Sequence, residues 1–550
     1  MRIPRRLGGA AVVLALAATA PDAPAQVPAC AELGTPCKLS TGLDDARVID
    51  QVVAAPNNQR VVFQHLGENG PLQVFSAPVT GGSAPVRLSP QTDDFANLVV
   101  VSPDSTRVLY TLRVGSGDGV RTELRSVPIA GPASAGVRLA ADISTTTRPR
   151  ISPDSRKVVF APASGNQLRV VPTAGPSTGG GRLTDPFVAG GTVGGDFKIS
   201  ANSASVVYRA DQDTDQELEL YRVPLTLSPA PDPPTSKLNG SLATNGDVGQ
   251  FTLAPNNGRV VYLADESTAG VNELYSVKLG GTGHTKLSRT LPAGWDVQSP
   301  NEEPGEGDLP GRIVPNGSRV MYEIGVVVNG RVFKEFYSVP IGGPVSAGVR
   351  LDHPPLVPAG EIFALRYKIS ADSSRVVYTL VDQSLPGEPN LPPHFLITVP
   401  AAGPASARRH LSFPTTDESI HAISPTSNRV AFTFPATQSD LFSTPLAGGT
   451  GVRLNGSEKF RSFLRINTAG NRAVYVGNTA TGPDLFSAAL DGTGTRFDLT
   501  GSLAGVFDVT GRTLTPNGVR AVYTVRRGPL DAPVELFSSR LVPGIVAPAP

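Results

Sequence analysis

A turn built on Pro-Asp, Pro-Asn or a close substitute, followed by a basic residue and a short Val/Tyr/Phe run, recurs ten times along this chain. Ser102-Pro103-Asp104-Ser105-Thr106-Arg107-Val108-Leu109-Tyr110 is one copy, and Pro315-Asn316-Gly317-Ser318-Arg319-Val320-Met321-Tyr322 is another. A period of roughly 50 residues made of short strands marks propeller blades, in which each unit buries its faces only against its neighbours. That repeat constrains architecture far more than chemistry.

Each unit divides into four strand-like runs. An apolar or alternating run precedes the turn, as in Phe251-Thr252-Leu253, and a Val-Val-Tyr strand follows it, as in Val260-Val261-Tyr262. A variable polar loop leads to a third strand such as Glu273-Leu274-Tyr275-Ser276-Val277. A Gly-Gly or Gly-Pro turn then feeds a short fourth strand ending in Arg-Leu, as in Arg350-Leu351. The turn chemistry suits a type I turn closed by a residue at positive φ. No sustained helical period interrupts the pattern, so the expected fold is an all-β propeller of about ten four-stranded blades. The basic markers Arg60, Arg107, Lys157, Arg259, Arg319, Arg375, Arg429, Arg472 and Arg520, with Ser205 in the remaining unit, are expected to pair locally.

The chain ends indicate closure. The last unit has no clear Arg-Leu strand, and the chain opens with an orphan copy of it, Lys38-Leu39-Ser40, which matches Arg87-Leu88-Ser89. An N-terminal strand that completes the last blade would close one ring and hide both sheet edges. The alternative is two smaller rings. The expected organisation is a leader at 1–25, an N-terminal segment at 26–37, the propeller at 38–540 and a tail at 541–550.

Residues 1–25 read as a secretory signal: Arg2, Arg5 and Arg6, an apolar run from Ala10 to Ala20, then Ala23-Pro24-Ala25. The apolar run falls short of the about 20 residues a membrane span needs, so a periplasmic or secreted, monomeric protein is expected. Export makes a Cys30–Cys37 disulfide an expectation. Such a short loop would pin the N-terminal segment and not the fold. With 48 basic against 47 acidic residues and a net charge of +1, no global field would recruit nucleic acid or an anionic membrane.

The Ser-Pro-Asp-x-x-x-Val-Val-Phe/Tyr run, the Glu-Leu-Tyr-Ser-Val strand and the Arg-Leu end are similar to the WD40-like repeats of the TolB-type propeller family, over nearly all of 38–540. The resemblance implies a bacterial envelope protein whose propeller is a binding platform for another macromolecule, protein or glycan. The chain departs from that family in carrying more blades and showing no α/β domain ahead of them. The repeat also occurs in the propellers of prolyl-oligopeptidase-type peptidases, and no hydrolase domain is expected here.

Chemistry-bearing motifs are sparse. Gly175-Pro176-Ser177-Thr178-Gly179 spells a nucleophile elbow but occupies the recurrent Gly-Pro turn, where a strand-to-helix elbow cannot form. The histidines (His65, His284, His353, His394, His410 and His421) are scattered over different units, with His421 nearest an innermost strand. Asp211, Asp213 and Asp215 alternate as in a calcium loop but lack its sixth-position glycine, so calcium is an option beside a solvated loop. Asp94, Asp247, Asp308, Asp417 and Asp508 each stand seven to nine residues before the turn proline. They are expected around one channel mouth, where they would bind a cation or a basic partner segment; the structural alternative is that they bond backbone amides at loop starts. The expected function is therefore a non-catalytic binding platform without a resident cofactor. The alternative is a propeller enzyme of the polysaccharide lyase or glycoside hydrolase type, with its active site at the central channel.

Overall fold

The computed structural model describes residues 34–541 apart from 44, 69, 92–94, 116, 185–186, 228–233, 299–311, 329–330, 353–361, 383–393, 413–420, 435–439 and 530. The chain forms ten antiparallel blades in one ring. Blade 1 consists of Ala46–Ala54, Arg60–Gly67, Leu72–Pro78 and Val86–Arg87, in that spatial order. Blade 2 repeats it with Phe95–Val101, Arg107–Val114, Arg121–Pro128 and Val137–Ala140, and blade 3 with Arg150–Ile151, Lys157–Phe160, Arg169–Pro172 and Gly181–Arg182. Among the described residues only blade 6 has a divided first strand, Asp296–Gln298 and Arg312–Ile313, both paired with Arg319–Val328. First strands touch first strands of neighbouring blades, so they are innermost and line the channel.

The ring is held by faces, not edges. Ten hydrophobic clusters each draw on two successive blades. The third residue after each marker is Tyr or Phe, from Phe63 to Tyr523, and all are buried. Most stack on an aromatic in the third strand, for example Tyr322 on Tyr337 with ring centroids 5.5 Å apart. Burying such a ring is worth about 1.5–3 kcal/mol. A lone blade would leave both faces wet, which is why only the array is stable.

Closure follows the expected route, and the two-ring alternative is excluded because the tenth cluster joins Leu39, Val522 and Leu536 of blade 10 to Ile49, Val61 and Phe63 of blade 1. Cys37–Lys38 pairs with Val534–Arg540 as the missing fourth strand of blade 10. Lys38 Nζ lies 2.8 Å from Glu535 Oε1. The same ion pair recurs inside other blades, as Arg350–Glu335 at 2.7 Å and Arg138–Glu123 at 3.1 Å. The Arg-Leu and Glu-Leu motifs of the repeat are thus two halves of one contact.

The basic markers also pair locally. Arg60 Nε donates to Ser76 Oγ at 2.7 Å and Arg319 Nε to Ser338 Oγ at 2.7 Å. In blade 4 the pair is inverted: Ser205 holds the marker position, and Arg222 in the third strand donates to its Oγ at 2.9 Å. The third-strand serine passes the link onward, since Ser338 Oγ donates to Ala401 O of blade 7 at 2.6 Å. At the turns, positive φ falls on one position in every blade, for example Ser105 at 61°, Ser155 at 64° and Gly518 at 66°. Several of these residues accept a hydrogen bond from the preceding blade's turn, as Ser155 Oγ does from Asp104 N at 2.9 Å. The ring is laced at this end too: Asn517 N donates to Asn58 Oδ1 at 2.7 Å across the closure.

Candidate functional site

The opposite end carries the loops that enter the innermost strands. Asp247 and Asp508 both stand there, in blades 5 and 10, half a ring apart, and the structure does not bring them together. Asp247 Oδ1 accepts from Leu218 N at 2.8 Å, closing the third strand of the preceding blade. Asp296 does the same for Asn272 N at 2.9 Å and Asp142 for Thr122 N at 3.2 Å. A short carboxylate at this point thus terminates a neighbouring strand. Asp508 is ion-paired with Arg461 at 3.0 Å. Asp94, Asp308 and Asp417 lie outside the described residues.

The Asp211, Asp213 and Asp215 loop lies between the second and third strands of blade 4. Asp211 is buried and accepts from Thr192 N at 2.5 Å and Gln216 N at 3.3 Å, while Asp213 faces Lys237 at 3.6 Å. Among the described residues no group of three or more His, Cys, Asp or Glu is placed to hold a metal ion. Gly175–Gly179 forms the turn between the third and fourth strands of blade 3, as expected. His421 opens the innermost strand of blade 8 and is buried. Cys37 is buried and disulfide-bonded; Cys30, its expected partner, and residues 1–25, the expected leader, lie outside the described residues.

A cavity of about 820 Å³ opens at this mouth, between the innermost strands of blades 1 and 2 and the loop that enters blade 3. Arg113, Arg121 and Arg148 line it, and Asp142 is the one carboxylate among the described lining residues. Arg121 is 3.6 Å from Glu123. Among the described residues Arg113 and Arg148 have no ion pair. The floor is built with care. Phe95 and Asn97 sit opposite Arg113 and Thr111 in register, and the intervening Ala96 is buried. Side chains alternate along a strand, so these four share one face. Gln64 Nε2 donates to Asn97 Oδ1 at 3.4 Å and to Ala96 O at 3.3 Å, which orients the amide. Gln51 reaches the cavity from a bulged stretch of blade 1, at φ 43°. Bulges of this kind re-aim side chains at sites.

Blade 2 departs from the repeat on its arginine side. Its third strand carries Arg125 where seven blades place an aromatic, paired in register with Tyr110; blade 3 likewise places Arg169 opposite Phe160, and blade 7 places Ile397 opposite Tyr378. Arg125 grips Glu123 through two hydrogen bonds of 2.9 and 2.7 Å, and Arg138 adds a third contact. Burial alone would raise the Glu123 carboxyl, but these guanidiniums outweigh it and hold it below the usual carboxylate range. Three guanidiniums, of Arg121, Arg125 and Arg138, thus share one carboxylate, which leaves an excess of positive charge beside the cavity. The loop into blade 3 supplies Ser144-Thr145-Thr146-Thr147, pinned where Ser144 Oγ accepts from the N–H of Thr146 and Thr147 at 3.3 Å each. A second cavity of about 610 Å³ at the blade 10–blade 1 seam is lined by Asp45, Glu68, Asp531 and Arg47.

Sequence reasoning weighed carboxylates at this mouth and missed the arginines. The available signal was the blade whose Glu-Leu-Tyr-Ser strand reads Glu123-Leu124-Arg125-Ser126, flanked by Arg113 and Arg121.

No family model matches this sequence, and no curated relative does. Solved structures are similar to it at low identity. An oligogalacturonate lyase in complex with manganese is 12% identical with a TM-score of 0.35, covering 83% of this chain and 98% of its own. The putative TolB from Agrobacterium tumefaciens is 14% identical with a TM-score of 0.26, covering 49% of this chain and 80% of its own. Dipeptidyl peptidase 4 from Porphyromonas gingivalis is 10% identical with a TM-score of 0.43, covering 78% and 64%.

Proposed function

We propose that this chain is an exported, non-catalytic binding propeller of the bacterial envelope that seats its ligand at the channel mouth over blades 1–3. The supporting observation is the cavity lining: three arginines, hydroxyls and amides, with one carboxylate already bonded to Thr122 N. General acid–base chemistry calls for a positioned proton donor and acceptor, whereas this lining is rich in donors suited to holding a ligand. The leader-like segment at 1–25 supports export, and among the described residues no helix is long and apolar enough to cross a membrane. The test uses the mature chain and a Thr145→Trp variant, which fills the cavity from an exposed lining position. Immobilised on beads, the unsubstituted protein should retain an envelope component, protein or glycan, that the variant releases, and the component should elute chemically unchanged. Retention by both proteins, or cleavage of the component, overturns the reading.

A further inference from the structure

We infer that the channel-mouth cavity binds a segment of anionic polysaccharide, a reading that rests on the proposed function and names its ligand class. Three features of one surface point to that chemistry. Arg113, Arg121 and Arg148 converge on a cavity whose single described carboxylate is engaged by the backbone. Guanidinium forks match carboxylate or sulfate oxygens in pairs. The chain as a whole is nearly neutral at +1, so this positive concentration is local and not a by-product of composition.

The remaining wall is dense in side-chain hydroxyls and amides, among them Asn97, Thr111, Thr122 and Thr145. Such groups suit a ligand covered in hydroxyls. Beside them stands Phe95, 50% exposed, on the same strand face as Asn97 and opposite Arg113. Its open face offers a stacking surface beside the polar wall. The apolar face of a pyranose ring is a natural cover, because its axial C–H groups pack on an aromatic plane while its equatorial oxygens meet the polar wall. Val48 and Phe507, at the starts of the innermost strands of blades 1 and 10, are 42% and 54% exposed. The run blade 10–blade 1–blade 2 would carry a chain of sugars toward the arginines.

An acidic peptide would meet the same guanidiniums. Arginine clusters do recognise acidic peptide motifs, but such a peptide would leave the wall of hydroxyls and the exposed Phe95 ring without matching groups. The volume, about 820 Å³, lies within the range of about 300–1,000 Å³ usual for small-ligand sites. It therefore accommodates a few sugar units of a longer polymer.

Titration calorimetry of the mature protein against four probes tests the inference: a uronic-acid hexasaccharide, a sulfated hexasaccharide, an unmodified neutral hexasaccharide and hexaglutamate. One or both anionic saccharides should bind, and which of them does so identifies carboxylate or sulfate as the source of charge. Binding should weaken as salt rises from about 0.02 to about 0.15 M, as expected for partly exposed ion pairs. Arg113→Gln with Arg148→Gln should cost at least about tenfold in affinity, about 1.4 kcal/mol, without moving the unfolding midpoint. Phe95→Ala should weaken binding while leaving its salt dependence intact. Equal binding of hexaglutamate or of the neutral sugar, no saccharide binding at all, or indifference to the arginine changes overturns the inference. If every saccharide fails while Thr145→Trp still releases another envelope component, the ligand class falls and the platform reading stands. If saccharides bind equally to Thr145→Trp, the cavity itself is excluded.

Discussion

Leu39→Ala measures how firmly the ring is closed. Leu39 is fully buried in the cluster that joins blade 10 to blade 1, its N–H donates to Leu536 O at 2.7 Å, and Ser40 Oγ accepts from Leu536 N at 3.0 Å. Leu88 is its counterpart inside blade 1: fully buried, donating to Val74 O at 2.8 Å, with Ser89 Oγ accepting from Val74 N at 3.1 Å. Truncating a buried leucine costs about 2–5 kcal/mol, through lost transfer free energy plus the cavity left behind. Leu39→Ala and Leu88→Ala should therefore each cost about 3 kcal/mol. The comparison removes the main uncertainty, because the two sites share environment and hydrogen bonding and differ only in whether the strand comes from its own blade or from the far end of the chain. The assay is urea unfolding followed by tyrosine fluorescence and far-ultraviolet circular dichroism, with coincidence of the two probes checked first. A Leu39→Ala protein within about 0.5 kcal/mol of the unsubstituted chain, the range of an ordinary surface change, would refute closure if Leu88→Ala showed its full loss. Deleting 26–42 should be still more disruptive, since it bares the edge of Val534–Arg540.

Other outcomes follow from the same contacts. Ser205→Ala removes the acceptor of Arg222 and should cost about 1 kcal/mol, whereas Ser205→Arg combined with Arg222→Ser restores the orientation found in blade 6 and should lie closer to the unsubstituted protein; a double variant worse than Ser205→Ala in thermal melts would argue against a shared contact. Burial alone would raise the carboxyls of Asp104, Asp154 and Asp372, but hydrogen bonds from Ser102, Ser152 and Ser370 and from turn N–H groups outweigh it, holding all three below the usual carboxylate range. A folded value below the unfolded one adds stability that is present above the unfolded value, about 3.9, and is lost as pH falls through the folded one. Changing the three to Asn should therefore flatten the loss of stability below about pH 4, and an unchanged acid limb in denaturant melts would contradict this. Denatured, unreduced mature protein should show no labelled thiol at Cys30 or Cys37, and two labelled cysteines would overturn the expected bridge.

The blade count, the four strands per blade and the route of closure were all legible in the sequence. Each rests on short-range chemistry: the positive-φ turn residue, the Val-Val-Tyr alternation, and an orphan Lys38-Leu39-Ser40 copy of a motif repeated elsewhere. Local patterns recur because each blade solves the same burial problem against its neighbour. The sequence favoured one ring and left two smaller rings open, since the choice depends on whether blade 10 packs on blade 1, a contact between residues nearly the whole chain apart. The candidate site was less legible still. Asp247 could be placed at the mouth from spacing alone, but its use as a cap for Leu218 N needed coordinates. Arg113, Arg121 and Arg148 come from two blades and three loops or strand ends, and each alone reads as an ordinary surface charge. Sequence determined the repeating unit because its forces act within a blade; only the tertiary structure decided which unlike residues of successive blades meet at the axis, because that convergence is a property of the closed ring.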